Sequence, residues 1–390
     1  MPRKPTVIVM GFMGQSPYAG VAWQALHYLE GLRRLGYDVY YAEDTEAWPY
    51  DPEQDAVSAS CRYTVRYLGR LMAWCGLAGR WSYRNPADGS LHGLSPAALA
   101  RLFERAGALV NVTGITVLQE RHMRVPARLY VESDPFLAQA EVASGVEAMA
   151  GLLDAHTHWF TFGENIGRPG CGIPLTRFNF QPTRQPVVTD WWRQPEGAHA
   201  DGGGPFTTIT SWKQTGKDVR WRGETYLWSK HLELLKFIEL PRRAREPLEL
   251  ALATRDAEAL RMIRSHGWRV ENAYALSGDI HPYRAYVQAS RGEFTVAKDQ
   301  YVRPRTGWFS DRSACFLAAG RPVVTQDTGF GEVLPTGKGL FPFRTMEDIL
   351  AAFEAIRADY PAHCRAAAEI AEEYFAAEKV IAHMMARAGV

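Results

Sequence analysis

Cysteine, one-sided charge and long apolar runs are all scarce in this sequence, and each scarcity excludes something. The 390 residues hold five cysteines, Cys61, Cys75, Cys171, Cys315 and Cys364. They are odd in number, scattered and without a CxxC pair, which excludes a disulfide framework or a zinc cage and fits free thiols in a reducing compartment. Lysine and arginine number 44 against 43 acids, a formal charge of +1, so the electrostatic footprint of a nucleic-acid binder is missing. The first apolar run, Val7 to Met10, stops at Gly11. That is too short for a signal-peptide core or a bilayer span, and no later apolar run reaches such a span's length without charges. The expectation is a soluble, cytoplasmic chain with no stable membrane insertion and no nucleic-acid partner. The first glycine-containing loop, GFMGQSPYAG, lacks GxGxxG spacing, which argues against an ordinary NAD site. His156 and His158 would share a strand face, but no third metal ligand follows at a diagnostic spacing. No cofactor and no metal are expected.

What the chain does hold is alternation. At this length two domains of about 150–200 residues are expected. Thr6–Met10 reads as an apolar strand, residues 21–35 as a helix ended by Gly36, and residues 37–42 as the next strand, a βαβ opening that predicts a parallel sheet. Further strands are expected at 108–112, 128–132 and 158–162, each followed by polar or glycine residues, where ligands of open α/β sheets sit. Prolines recur from 169 to 205 and glycines at 202–204, a linker texture. A second alternating series then runs from 206, with helices expected at 226–238, 257–266 and 283–289 and strands at 206–211, 248–253 and 292–297. Long helices close the chain, one over 346–357 and another over 361–388.

The most telling stretch is 306–334, TGWFSDRSACFLAAGRPVVTQDTGFGEVL. A turn enters a small-residue helix that Gly320 closes, and Arg321-Pro322 leads to a buried strand ending at Asp327-Thr328-Gly329. A helix N-terminus with free N–H groups can seat a diphosphate, and an acid at the strand end can hold sugar or ribose hydroxyls. Ser310 or Asp311 would cap that helix, with Arg312 and Ser313 in its first turn. Arg303 and Arg305 lie just upstream. Lys298 could reach a phosphate and Glu293 a hydroxyl, although both also suit a core edge.

This stretch resembles the donor-binding segment of GT-B glycosyltransferases of the family 1 and family 4 types, with their "GRPVV…D.G" strand and loop. The resemblance implies an α/β fold of two Rossmann-like domains facing across a cleft. Residues 1–185 would form the N-terminal acceptor-binding domain, 186–205 the linker and 206–360 the C-terminal donor-binding domain. Residues 361–390 would be a helix returning to brace the N-terminal half. It further implies sugar transfer from a nucleoside-diphosphate sugar, without metal, to a small-molecule or glycan acceptor in the cleft. The acceptor would lie against the loop after Gly11, with Gly14 and Tyr18, and against the loops after Thr113 and Asp134. Its proton would go to a base of the N-terminal domain, for which Asp134, His156 and His158 are the candidates.

Two family features are missing. Retaining members carry two glutamates at places that fall near Gly307 and Cys315 here, and inverting members often carry a histidine near the former. Stereochemistry therefore stays open, as does oligomeric state. A non-hydrolysing sugar-nucleotide epimerase and a non-catalytic nucleotide-sugar-binding protein remain rivals. Glu132-Ser133-Asp134 mimics the metal motif of another transferase fold, but the donor signal is C-terminal, so these residues are read as a decoy.

Overall fold

The computed structural model describes residues 4–194 and 203–390. Two sheets organise them. The N-terminal one has eight strands: β1 (Thr6–Met10), β2 (Asp38–Glu43), β3 (Trp81–Arg84), β4 (Leu91–Gly93), β5 (Ala106–Val112), β6 (Ala127–Glu132), β7 (His158–Thr161) and β8 (Phe180–Pro182). Their order is β8-β7-β6-β5-β1-β2-β3-β4, parallel except for the β3–β4 hairpin. The second sheet has six: β9 (Phe206–Ser211), β10 (Leu248–Ala253), β11 (Arg269–Asn272), β12 (Gly292–Thr295), β13 (Val323–Gln326) and β14 (Leu340–Phe343), ordered β11-β10-β9-β12-β13-β14. Within itself that is the 3-2-1-4-5-6 order of a doubly wound Rossmann sheet, with a switch point between β9 and β12.

The central strands read as continuous apolar runs because both faces are covered: every residue of Thr6–Met10 and of Val323–Gln326 is buried. Strands β3, β4, β8 and β14 carry polar or proline residues that weaken the apolar signal, and sequence reading passed over them. Residues 226–238, expected as one helix, form the end of a small hairpin strand (Glu224–Tyr226) and a short helix, His231–Leu235. The long helix expected over 361–388 breaks at a π-turn, Ala371–Phe375, and restarts at Ala377 after an extended Ala376.

That break carries the chain from one domain to the other. The Val187 and Ala377 N–H groups bond the carbonyls of Phe375 and Val187 at 2.7 and 2.8 Å, so residues 186–194 of the expected linker are packed against the returning chain. Its remaining proline- and glycine-rich part, 195–202, lies outside the described residues. The last helix, Ala377–Arg387, lies on α1 (Ala19–Arg34). Gly31 permits the approach: a Cβ there would meet Ile381 at 2.5 Å and Ala377 at 2.9 Å. Among the described residues no helix is long and apolar enough to cross a membrane.

Candidate active site

The C-terminal ends of both sheets open on one cleft of about 510 Å³. Its N-terminal wall is built by the residues after β1, β5, β6 and β7, among them Phe12, Thr113, Glu132 and Phe162. Its opposite wall carries Lys217, Trp228 and Lys230 from the segment after β9, Lys298 from the loop after β12, and Ser310–Arg312 at the start of the helix Asp311–Ala318. The switch point between β9 and β12 therefore faces the strand C-termini of the other sheet across this space, as expected for ligands of open α/β sheets.

Positive charge gathers at one end. The Lys298 ammonium lies 2.7 Å from Asp134 Oδ1 and 2.9 Å from the Trp228 ring centre, with only 9% of its side chain exposed. Burial pulls its pKa down to about 8 against the opposing pull of Asp134. Lys230 sits 5.5 Å over the Trp308 ring. Burial and then the neighbouring charges of Arg312 and Lys298 lower it to about 7. Lys217 lies 4.9 Å from the centre of the Trp228 ring. Crowded, partly desolvated ammonium groups favour an anion between them, which would restore their protons. The helix start faces the same end. Ser310 is its N-cap without a side-chain cap bond, and Asp311 takes the Arg312 N–H at 2.8 Å. Burial raises the Asp311 carboxyl.

The expected donor residues divide. Lys298, Ser310, Asp311 and Arg312 line the cleft, but Arg312 is bound on three sides: to Glu293 Oε1 at 2.5 Å, the Ile209 carbonyl at 2.7 Å and Thr295 Oγ1 at 2.8 Å. Glu293 is fully buried in β12 and anchors Arg312, which corrects its assignment to a sugar hydroxyl. Ser313 points into the helix's buried face and does not reach the cleft. Arg305, Asp327, Thr328 and Gly329 are also elsewhere. Asp327 holds Arg344 at 2.6 Å and the Gly329 N–H at 2.7 Å, with Arg305 at 3.4 Å. Thr328 Oγ1 donates to the Trp308 carbonyl at 2.6 Å. The Gly329 carbonyl accepts from Asn165 of the N-terminal domain at 2.9 Å. This loop braces the two domains, and Gly307 (φ 79°) lets Asn165 in, where a Cβ would stand 2.8 Å from it.

On the N-terminal side, Gly14 is buried under its loop with its N–H on Glu43 at 2.7 Å, away from the cleft wall. Tyr18 lines a second hollow of about 420 Å³ at the ends of β9 and β10, with Tyr50, Tyr274 and Arg255. Neither histidine is a base for the cleft. His156 precedes β7 and is buried behind Tyr130; its Nδ1–H donates to the Leu152 carbonyl at 2.9 Å, so its Nε2 accepts from Asn111 at 3.1 Å. Burial lowers its pKa to about 4. His158 opens β7, at the strand end remote from the ligand edge. Asp134 does line the cleft, paired with Lys298 and accepting from the Tyr301 hydroxyl. Burial would raise it, but Lys298 and Tyr301 outweigh that and hold it below the usual range. A carboxylate so paired is a weak proton acceptor.

Sequence reading missed Lys217, Lys230 and Trp308. The lysines follow β9 at the switch point, a positional signal that was available; Glu132 was set aside as a decoy. Among the described residues no three His, Cys, Asp or Glu side chains gather as a metal site.

No family model matches the sequence, and no curated protein matches it significantly. Solved structures do match. An alpha-glucosyltransferase in complex with UDP aligns over 99% of both chains with a TM-score of 0.57 and 10% identity. The same enzyme type with UDP and a 13-mer DNA containing a HMU base gives 0.58, with 10% identity over 99% of this chain and 100% of that one. AviGT4, a glycosyltransferase involved in avilamycin A biosynthesis, gives 0.51 and 12% identity over 98% of this chain and 97% of that one. This chain has the GT-B fold. In GT-B terms, the lysine-lined wall belongs to the C-terminal Rossmann-like domain and Glu132 to Asp134 to the N-terminal one.

Proposed function

We propose that this protein is a glycosyltransferase, moving a sugar from a nucleoside-diphosphate sugar to an acceptor hydroxyl or amine in the interdomain cleft, without a metal ion. The observation that carries the reading is the convergence of Lys217, Lys230 and Lys298 on the start of the helix Asp311–Ala318, in a cleft of about 510 Å³. A diphosphate leaving group gathers negative charge as the glycosidic bond breaks, and preorganised ammonium groups stabilise that charge most where water is displaced. Three lysines supply the neutralisation a divalent ion would otherwise give. The second hollow suits the nucleoside. Tyr18 stacks on Tyr50 at 5.6 Å, Tyr274 lies 6.4 Å from Tyr18, and Arg255 covers Tyr274, so aromatic faces stand ready for a base. His281 and Tyr283 lie on a helix, Ile280–Ala289, where Tyr283 is buried.

Incubation with UDP-, GDP- and dTDP-sugars tests the reading. Slow release of free sugar, unaffected by EDTA, is the expected outcome. An epimerised nucleotide sugar would favour the epimerase, binding without turnover a nucleotide-sugar-binding protein, and activity restored only by manganese or magnesium a metal-dependent site at Glu132 to Asp134.

A further inference from the structure

We propose that Glu132 is the proton acceptor of the transfer step, acting through Oε1. The inference rests on the transferase reading. Glu132 ends β6 at the ligand edge and lines the cleft, yet only 3% of it is exposed. Its two oxygens are unlike. Oε2 receives Gln139 Nε2 and Thr161 Oγ1, both at 2.6 Å. Oε1 is buried without a hydrogen-bond partner.

Backbone donors fix the direction of those bonds. The Phe136 N–H can only donate, and it bonds Gln139 Oε1 at 2.9 Å; the amide must therefore present its NH₂ to Glu132. The Gly163 N–H likewise donates to Thr161 Oγ1 at 3.0 Å, which turns the hydroxyl proton toward Glu132. Oε2 thus accepts twice and cannot itself be the protonated oxygen without clashing hydrogens. Any proton on this carboxyl sits on Oε1. The loop pays for the arrangement with Phe136 at φ 90°, a left-handed backbone rare for a bulky residue. Burial, then the charge of nearby Asp134, raises the pKa to about 8, while Thr161 and Gln139 oppose the shift. Tyr130 and Tyr301 are the other titratable groups that feel this carboxyl, and burial raises both phenols.

In the step, an acceptor oxygen forms a bond to the anomeric carbon with its lone pair. The bond from that carbon to the phosphate oxygen breaks, and its electron pair leaves on the diphosphate. The acceptor's O–H proton passes to the ionised Oε1.

The test compares wild type with Glu132→Gln, which keeps an acceptor oxygen toward Gln139 and Thr161. UDP binding is followed by calorimetry, and consumption of UDP-, GDP- and dTDP-glucose in water is followed across pH. Isotope-edited infrared spectra, wild type minus variant, report the carboxyl's protonation directly. Expected are UDP affinity within about twofold of wild type, a rate lower by about 10²–10⁴-fold, loss of the alkaline rise in rate, and a carboxyl still protonated at neutral pH. A variant that turns over like wild type overturns the role of Glu132 alone. A wild type that binds UDP but consumes none of the three sugars is a nucleotide-binding protein without turnover, and neither reading survives. Failure of wild type to bind any of these nucleotides defeats the transferase reading instead.

Discussion

Asp134 and Lys298 meet at 2.7 Å across the cleft, a carboxylate of the N-terminal domain holding an ammonium of the C-terminal one. The pair does two things. It ties the walls together, and it keeps charge on a lysine that burial would otherwise neutralise. Asp134→Asn removes the support while preserving shape, so the Lys298 pKa falls below about 8. UDP affinity of the variant should then drop by about 1.5–3 kcal/mol, the range for a hydrogen bond to a charged group, and more at alkaline than at neutral pH. Calorimetry at both pH values checks this; equal losses would mean that the ion pair does not govern the charge of Lys298.

Lys230 makes a separate prediction. With its pKa drawn to about 7 by burial and by Arg312 and Lys298, a good part of it is neutral above pH 7 in the empty cleft. A bound diphosphate restores the proton, so UDP binding at about pH 8 should take up protons. The calorimetric enthalpy will then vary with the ionisation enthalpy of the buffer, and Lys230→Met will abolish much of that variation. An enthalpy independent of buffer would show that Lys230 does not meet the phosphates.

Arg312→Ala should damage the fold before it damages binding. Arg312 neutralises Glu293, which is fully buried, and spans β9 and β12 through Ile209 and Thr295. Removing one partner of a buried pair costs about 3–5 kcal/mol. Arg312→Ala/Glu293→Gln should recover part of that loss. Chemical denaturation of the single and double variants decides it, and a single variant as stable as wild type would mean that the pair is not structural.

These cases show what the sequence could and could not disclose. The strand–helix–strand rhythm, the ligand edge after β6 and β12, and the helix start at Ser310 were legible, because apolar runs and caps are local patterns. The roles of charged side chains were not. Arg305 and Asp327, 22 residues apart in sequence, looked like donor ligands, yet they bond each other and the domain-bracing loop. His156 and His158 seemed to share a strand face, but the strand begins only at His158. Lys230 acquires its meaning from Trp308 and Arg312, distant residues that no spacing rule links to it. Pairing across a cleft is a tertiary property, and Asp134 shows it most clearly, since the same carboxylate reads as a base alone and as an anchor beside Lys298.

The buried carboxyls give the final prediction, on stability. A carboxyl whose folded pKa is raised adds stability that is fully present below its unfolded pKa and is lost as pH climbs through the folded value. Glu132, raised to about 8 by burial and Asp134, has this sign, and so do Glu43 and Glu164, each raised to about 7 mainly by burial. Wild type should therefore lose stability between the ordinary glutamate range, about 4.3, and about pH 8. Glu132→Gln cannot ionise, yet its amide can still accept from Thr161 and Gln139 as the protonated acid does. The variant should match wild type in weak acid and gain on it as pH rises, on the order of 1.4 kcal/mol per unit of pH over the range where Glu132 is neutral only when folded. Denaturation curves at about pH 6 and about pH 9 measure the difference. A gap that stays constant between them would mean that Glu132 is already charged in the folded protein, and its Oε1 could not then be an uncharged group waiting in a dry wall of the cleft.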